Sequence, residues 1–260
     1  MGPGKNQGQR KKMLKSKRWR LKISPAEHND RPKLELSRAW EPLCRHCILL
    51  FGEREGSWYF VSYGDKRNSW WDETYSSKFT LLAVPCVRRA GGLAMMWKAG
   101  VDLHVQTFSL NHIDARIMNN SPTPWRITGF YGRPEAHQKH ESWELLRHLH
   151  SRDSMPWLCV SDYNEILSSE EKQGGLPRPP RKMEDFRQAL LHCGLSDLGF
   201  IGNIFTWRNG RPGRAFVQER LDQACANTEW REIYPFARVH HLHVAYSDHE
   251  PILITTQEVT

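Results

Sequence analysis

Hydrophobic and polar positions fall into two regimes along the chain. Before residue 81, prolines, charges and tryptophans alternate without a sustained period, and only short strands such as Trp58-Tyr59-Phe60-Val61 stand out. Beyond it the pattern becomes regular. Leu81-Leu82-Ala83-Val84 reads as a strand, and Gly91-Gly92 as a turn entering another that reaches Trp97. Residues 101–110 read as a half-buried strand with Val101, Leu103, Val105 and Phe108 broadly on its apolar face, and residues 125–131 as a further strand. Trp143, Leu146 and Leu149 recur at helical spacing within residues 141–150. Trp157-Leu158-Cys159-Val160 is an apolar run of the kind found in central strands. Met183, Phe186, Ala189 and Leu190 mark a helix over residues 182–193, stopped by Gly194. Residues 205–207 and 216–222 read as strands joined through the Asn209-Gly210 turn, and Asn227 caps a short helix over residues 228–234. Two strands, 239–244 and 252–255, close the chain around Ser247-Asp248-His249. This irregular alternation predicts an α/β (α+β) fold, a two-sheet β-sandwich flanked by helices, rather than a parallel βαβ array.

Composition adds a folded body with a basic balance. The 260 residues are 39% hydrophobic and 25% charged, and the 11 tryptophans favour a packed interior over a disordered chain. The formal net charge of +8 favours polyanionic partners such as nucleic acid, and is equally compatible with a generic basic protein. Residues 1–22 carry Lys5, Arg10, Lys11, Lys12, Lys15, Lys17, Arg18, Arg20 and Lys22 with no acid, the mark of a solvated arm that binds phosphates, directs nuclear import or solubilises. The expected organisation is therefore a basic arm over 1–40, a poorly defined segment over 41–80 and a folded domain over 81–260. The missing apolar h-region and the absence of a run long enough to cross a bilayer point to an intracellular protein, with the nucleus as one destination. The 6 cysteines show no framework spacing, and Cys44-Arg45-His46-Cys47 is only half of a zinc-ligand pattern.

Candidate chemistry gathers where strands end. Asp162 and Asn164 directly follow the central apolar run, and alternation aims both to one side. The same pair is also the signature of an Asx turn. Ser247-Asp248-His249 offers a hard oxygen ligand beside an imidazole, or an ordinary polar turn. Glu219-Arg220-Leu221-Asp222 and Tyr131-Gly132-Arg133-Pro134 close two other strands. His240, His241 and His243 read as surface imidazoles or a metal cluster, with His241 and His243 on one face. The basic, proline-rich loop at 177–181 is either solvated or touches phosphates.

In their order these segments resemble the endonuclease/exonuclease/phosphatase superfamily, and within it the endonuclease domain of plant LINE-type (non-LTR) retrotransposons. The matching text is Arg89-Ala90-Gly91-Gly92-Leu93-Ala94-Met95-Met96-Trp97-Lys98, Thr128-Gly129-Phe130-Tyr131-Gly132 and His140-Glu141-Ser142-Trp143. Pro156-Trp157-Leu158-Cys159-Val160-Ser161-Asp162-Tyr163-Asn164-Glu165-Ile166-Leu167, Phe205-Thr206-Trp207, Arg220-Leu221-Asp222 and Ser247-Asp248-His249 follow. The resemblance covers about the last two thirds of the chain. It implies a DNase I-like sandwich and Mg²⁺-dependent nicking of DNA, with no membrane partner and no small-molecule cofactor. It also implies the roles. Asp162 orients the water, Asn164 and Tyr131 meet the phosphate, His249 donates to a phosphate oxygen, and Asp222 orients its ring. Asp248 helps hold the metal, while Thr206, Trp207 and Arg220 lie on the nucleic-acid side. Ser161 and Tyr163 stand where the family has Gly and Phe.

One departure changes the expected activity. The family begins with an Asn-bearing strand and a metal-binding Glu in a Glu-Thr segment. No counterpart of the first precedes Gly91, and Glu73-Thr74 lies too close to Gly91-Gly92 and lacks a preceding apolar strand. The first strands are thus expected to be missing or replaced, and the domain to nick weakly or not at all. The alternatives are a non-catalytic nucleic-acid-binding remnant and a phosphatase of the same fold acting on a small phosphoester.

Overall fold

The structure, a computed structural model, describes residues 100–118, 121, 123–243 and 247–256 throughout, and before them the strand segments 22–23, 34–35, 48–52, 57–62, 79–84 and 93–98. The remainder of the basic arm, Cys44-x-x-Cys47 and Glu73-Thr74 lie outside the described residues.

Strands β1 (Lys22–Ile23) and β2 (Leu34–Glu35) pair with each other. One six-stranded sheet is built from β7 (Leu103–Ser109), β8 (His112–Ile117), β9 (Trp125–Tyr131), β10 (Trp157–Asp162), β12 (Ser196–Asp197) and β15 (Asp222–Ala226), in the spatial order β12-β15-β10-β9-β8-β7. The other comprises β3 (Ile48–Gly52), β4 (Ser57–Ser62), β5 (Phe79–Val84), β6 (Leu93–Lys98), β16 (Arg238–His241) and β17 (Ile252–Thr255), in the order β16-β17-β3-β4-β6-β5. A small third sheet, β11 (Lys172–Gln173), β14 (Gln218–Glu219) and β13 (Trp207–Arg208), sits at the rim.

Strand alternation explains the layering. Ile113, Ala115, Ile127, Leu158, Val160, Ala224 and Ala226 of the first sheet meet Leu93, Met95, Val239, Ile252 and Ile254 of the second in one buried cluster. The opposite face of the first sheet, with Phe130, Trp157, Cys159 and Cys225, is covered by α1 (Lys139–Ser151) and α2 (Pro180–His192) through Trp143, Leu146, Leu149 and Phe186. Helix α2 ends one residue before Cys193, and Gly194 (φ 63°) turns the chain, as its position predicts. Helix α3 (Thr228–Ile233) starts at Asn227, whose side chain accepts from the Trp230 amide. Among the described residues no helix is long and apolar enough to cross a membrane.

Three features differ from the sequence expectation. The segment before residue 81, which shows no sustained period, supplies two strands of the second sheet: β3 pairs in parallel with β17 and antiparallel with β4, and β4 pairs with β6, so no raw edge remains between β17 and β6. Strand β8 was not evident in the sequence, yet it lies within the first sheet with Ile113, Ala115 and Ile117 inward. Phe108 is 59% exposed, because the inward positions of β7 are the odd-numbered ones.

Candidate active site

The inner-face positions that carry the sandwich core become polar at one end of the first sheet. On β10 they run Leu158, Val160, Asp162, and on β15 they run Ala226, Ala224, Asp222, with Asp162 and Asp222 directly opposite each other. On β9 the corresponding position is Tyr131, which is in register with Asp162 on the other side. His249 arrives from the turn before β17. Ser247 Oγ accepts the His249 amide (3.0 Å), and an isolated antiparallel bridge ties His249 to Trp207. Ligand atoms of Asp162, Asp222 and His249 all lie within 4.8 Å of one another, and all three residues are buried.

The charges in this pocket constrain one another. His249 Nδ1 lies 2.8 Å from Asp222 Oδ2. Burial disfavours its charged form, but Asp222, Asp162 and Asp248 outweigh that and hold the imidazole up at about 9. Asp162 is pushed up to about 7 by burial, with His249 opposing the shift and Asp222 adding to it. Both Asp162 oxygens are engaged by Asn164: the Asn164 amide donates to Oδ1 (2.9 Å) and its side-chain Nδ2 to Oδ2 (3.0 Å). Asn164 Nδ2 also donates to the Gly132 carbonyl (3.0 Å), so its two N–H bonds are both used. Asn164 is left-handed (φ 55°), which the Asx turn explains. The Asx-turn reading of Asp162-x-Asn164 therefore holds, and the turn sets Asp162 beside Asp222 and His249.

Lys139, the first residue of α1, lies under this turn. Its ammonium donates to the Asn164 carbonyl and stands 3.9 Å from Glu165 Oε2. Burial pulls its pKa down to about 8, against the pull of Glu165. No period or motif in the sequence marks it. Gly132 is equally fixed: a Cβ there would meet the Tyr163 carbonyl oxygen at 2.1 Å, while the Gly132 amide donates to the Asp162 carbonyl.

The residues expected on the nucleic-acid side separate. Trp207 is half-buried beside His249. Thr206 is fully buried, and its Oγ1 accepts from the amides of Leu221 (2.9 Å) and Asp222 (3.0 Å). Arg220 is 1% exposed; Asp197 and Glu171 take its guanidinium, and Phe200 stacks on it. Both therefore build the site's frame and present no contact surface. His241 is likewise no surface imidazole: it is buried, stacked on Phe200, and has its pKa lowered to about 4 chiefly by burial. Among the described residues, His240, His241 and His243 do not form a metal-holding group.

The donor set fits a hard divalent cation only in part. Such ions take several oxygen ligands. Asp222 Oδ2 lies 2.8 Å from His249 Nδ1, and His249 would have to release a proton to serve as a ligand. Asp162 and the half-buried Asp248 remain as carboxylates of suitable chemistry.

No family model matches the chain, and no curated protein matches it in sequence. Solved structures do. The endonuclease domain of TRAS1, a telomere-specific non-LTR retrotransposon, superposes with a TM-score of 0.56 at 14% identity, over 70% of this chain and 81% of that one. The 3′ phosphatase NExo from Neisseria matches with a TM-score of 0.48 at 15% identity, over 67% and 78%. The Xenopus laevis APE2 catalytic domain gives 0.46 at 15% identity, over 67% and 74%. With two packed sheets, outer helices and the TRAS1 superposition, the chain carries the DNase I-like fold of the endonuclease/exonuclease/phosphatase proteins.

Proposed function

We propose that this chain is a phosphodiesterase domain of the non-LTR retrotransposon endonuclease kind, acting on DNA with Mg²⁺, and weakened by an incomplete metal site. The observation that carries this reading is the Asp222–His249 pair beside Asp162 at one end of the sandwich. His249, its imidazole held up at about 9, turns Nδ1 to Asp222, and Nε2–H is the group that would donate to a non-bridging phosphate oxygen, where negative charge grows. Asp222 holds the ring and its charge. Asp162, fixed by Asn164, accepts the proton of the attacking water once ionised. Tyr131, in register with Asp162, offers its phenol to the scissile phosphate. Asn164 acts by holding Asp162, since its N–H bonds are spent. Asp162 and Asp248 would hold a divalent cation, which when bound would neutralise phosphate charge. Mg²⁺ is commonly held by one or two carboxylates plus water and phosphate oxygens, so loss of the carboxylate that the family's Glu-Thr segment supplies would weaken its binding, and the nicking with it, rather than abolish them.

Conversion of supercoiled plasmid to open circles in Mg²⁺ tests this. The parent chain nicks slowly, while Asp162→Ala and His249→Ala, shown to be folded by circular dichroism, do not. A folded parent that leaves plasmid intact sinks the catalytic reading. The net charge of +8 then favours a binding remnant, recognised by salt-sensitive DNA binding that Asp162→Ala leaves unchanged.

A further inference from the structure

The loop between β11 and α2 holds the most exposed large hydrophobic side chain among the described residues, Leu176 at 87%. Single exposed leucines are ordinary on flexible surfaces, but the frame of this one is pinned at both ends. Gly174 (φ 81°) and Gly175 (φ 65°) take backbone conformations that other residues resist, and Gly174 packs so closely on the Phe216 carbonyl that a Cβ would lie 2.1 Å from it. On the far side Arg178 Nη2 donates to buried Glu219 (2.7 Å), and its Nε lies 3.6 Å from buried Glu165. Pro177, Pro179 and Pro180 stiffen what lies between and after, Pro180 as the first residue of α2. An apolar side chain is thus held out into water by a rigid support.

The setting indicates what covers it. No acidic residue occurs from Gln173 to Lys182, where Arg178, Arg181 and Lys182 lie, nor from Asn209 to Val217 in the neighbouring loop, where Arg211 and Arg214 are exposed. Both loops leave the same end of the small sheet, since Gly174 abuts Phe216 and Asn209 bonds to Val217. Register places this sheet beside the candidate active site: His249 bridges Trp207, Trp207 pairs with Glu219, and Glu219 pairs with Lys172. Three strand spacings, roughly 14 Å, separate His249 from Lys172, and Leu176 lies four residues further along the chain. An apolar tip between cationic loops matches a stacked, polyanionic duplex, where apolar side chains enter base steps and partly unstack them.

We propose that Leu176 is a wedge that inserts between bases of duplex nucleic acid lying across β13, β14 and β11 and reaching the phosphate at His249. This rests on the phosphodiesterase reading for its polarity, but its test does not need turnover. Short duplexes carrying 2-aminopurine at successive positions are titrated with the full chain in EDTA, following anisotropy for affinity and 2-aminopurine emission for unstacking. The parent raises emission at a restricted set of positions. Leu176→Ala abolishes that rise and weakens duplex binding about fivefold or more, Leu176→Phe retains both, and the slope of affinity against salt is the same for all three because no charge is changed. Leu176→Ala that binds and unstacks like the parent overturns the wedge, as does a parent that raises emission nowhere. Plasmid nicking assayed alongside separates the two ideas. Nicking by a parent whose duplex binding ignores Leu176 refutes the wedge alone, and a Leu176-dependent emission rise without nicking refutes the catalytic reading alone.

Discussion

Replacing Thr206 with valine separates a frame residue from a contact residue. Valine keeps the shape of threonine and removes the oxygen that accepts the Leu221 and Asp222 amides at 2.9 and 3.0 Å. The site is fully buried, so water does not take over either bond. A buried donor left without a partner costs about 1–3 kcal/mol. With two donors, and partial relief from burying a methyl in place of a hydroxyl, the loss is about 2–4 kcal/mol. That lies inside the usual stability of about 5–15 kcal/mol, so the variant still folds. Its melting temperature falls by roughly 5–15 °C, at about 2–4 °C per kcal/mol for a domain of this size. Thr206→Ser, which keeps the acceptor, recovers most of the drop. The assay is thermal unfolding by circular dichroism, with duplex binding measured well below the transition. A Thr206→Val variant that melts within about 1 °C of the parent but binds DNA more weakly would refute the argument, because only a solvent-facing contact behaves that way.

Three further outcomes follow from the same geometry. Gly132→Ala drives a methyl into the Tyr163 carbonyl and strains the backbone that holds Asp162 and Asn164, so denaturant titration shows a loss of about 1–3 kcal/mol and any nicking disappears. Arg220→Met strands Glu171 and Asp197 without their cation and costs about 3–5 kcal/mol in the same assay, whereas loss of DNA affinity at unchanged stability would contradict its placement. The pH dependence has a fixed sign. Asp162 rises from 3.8 to about 7 and His249 from 6.5 to about 9, so each group's contribution is complete below its unfolded value. It is lost as pH climbs through about 7 for the first and about 9 for the second. Lys139, lowered to about 8, and His241, lowered to about 4, act in the opposite sense above pH 8 and below pH 7, so in EDTA the melting temperature falls from pH 7 to pH 8, and His249→Gln flattens that fall; a rise between pH 7 and pH 8 would contradict the assignment.

Much of the site was legible because its residues end strands whose cores are apolar. Leu158 and Val160 announce the central strand, and the polar residues that follow them must lie at its mouth. Gly194 and Asn227 marked helix ends through backbone chemistry that acts locally. What stayed hidden depends on partners distant in sequence. Strand β8 carries His112, Asp114 and Arg116 on its helix-facing side, and the Asp114 carboxylate is buried only because Arg126 and Thr128 bond to it. Without those partners in view, the segment reads as polar surface. Thr206 and Arg220 are placed on the nucleic-acid side by the family resemblance, and only the backbone amides and carboxylates folded around them reveal otherwise. Strands β3 and β4 lacked any period of their own, since their place is set by β17 and β6.

The parallel pairing of β3 with β17, Leu49 opposite Ile252, joins segments from near the two ends of the described chain. During synthesis β3 leaves the ribosome long before its neighbour exists, and contacts of such long sequence separation form slowly. Until β17 arrives, one edge of β3 offers unpaired amides and carbonyls to any other strand it meets. The turn bearing His249 immediately precedes β17, so the imidazole is locked in place only when this last closure occurs. Chains cut short before Ile252 would be left with that open edge, and aggregation rather than a smaller folded form is their natural fate.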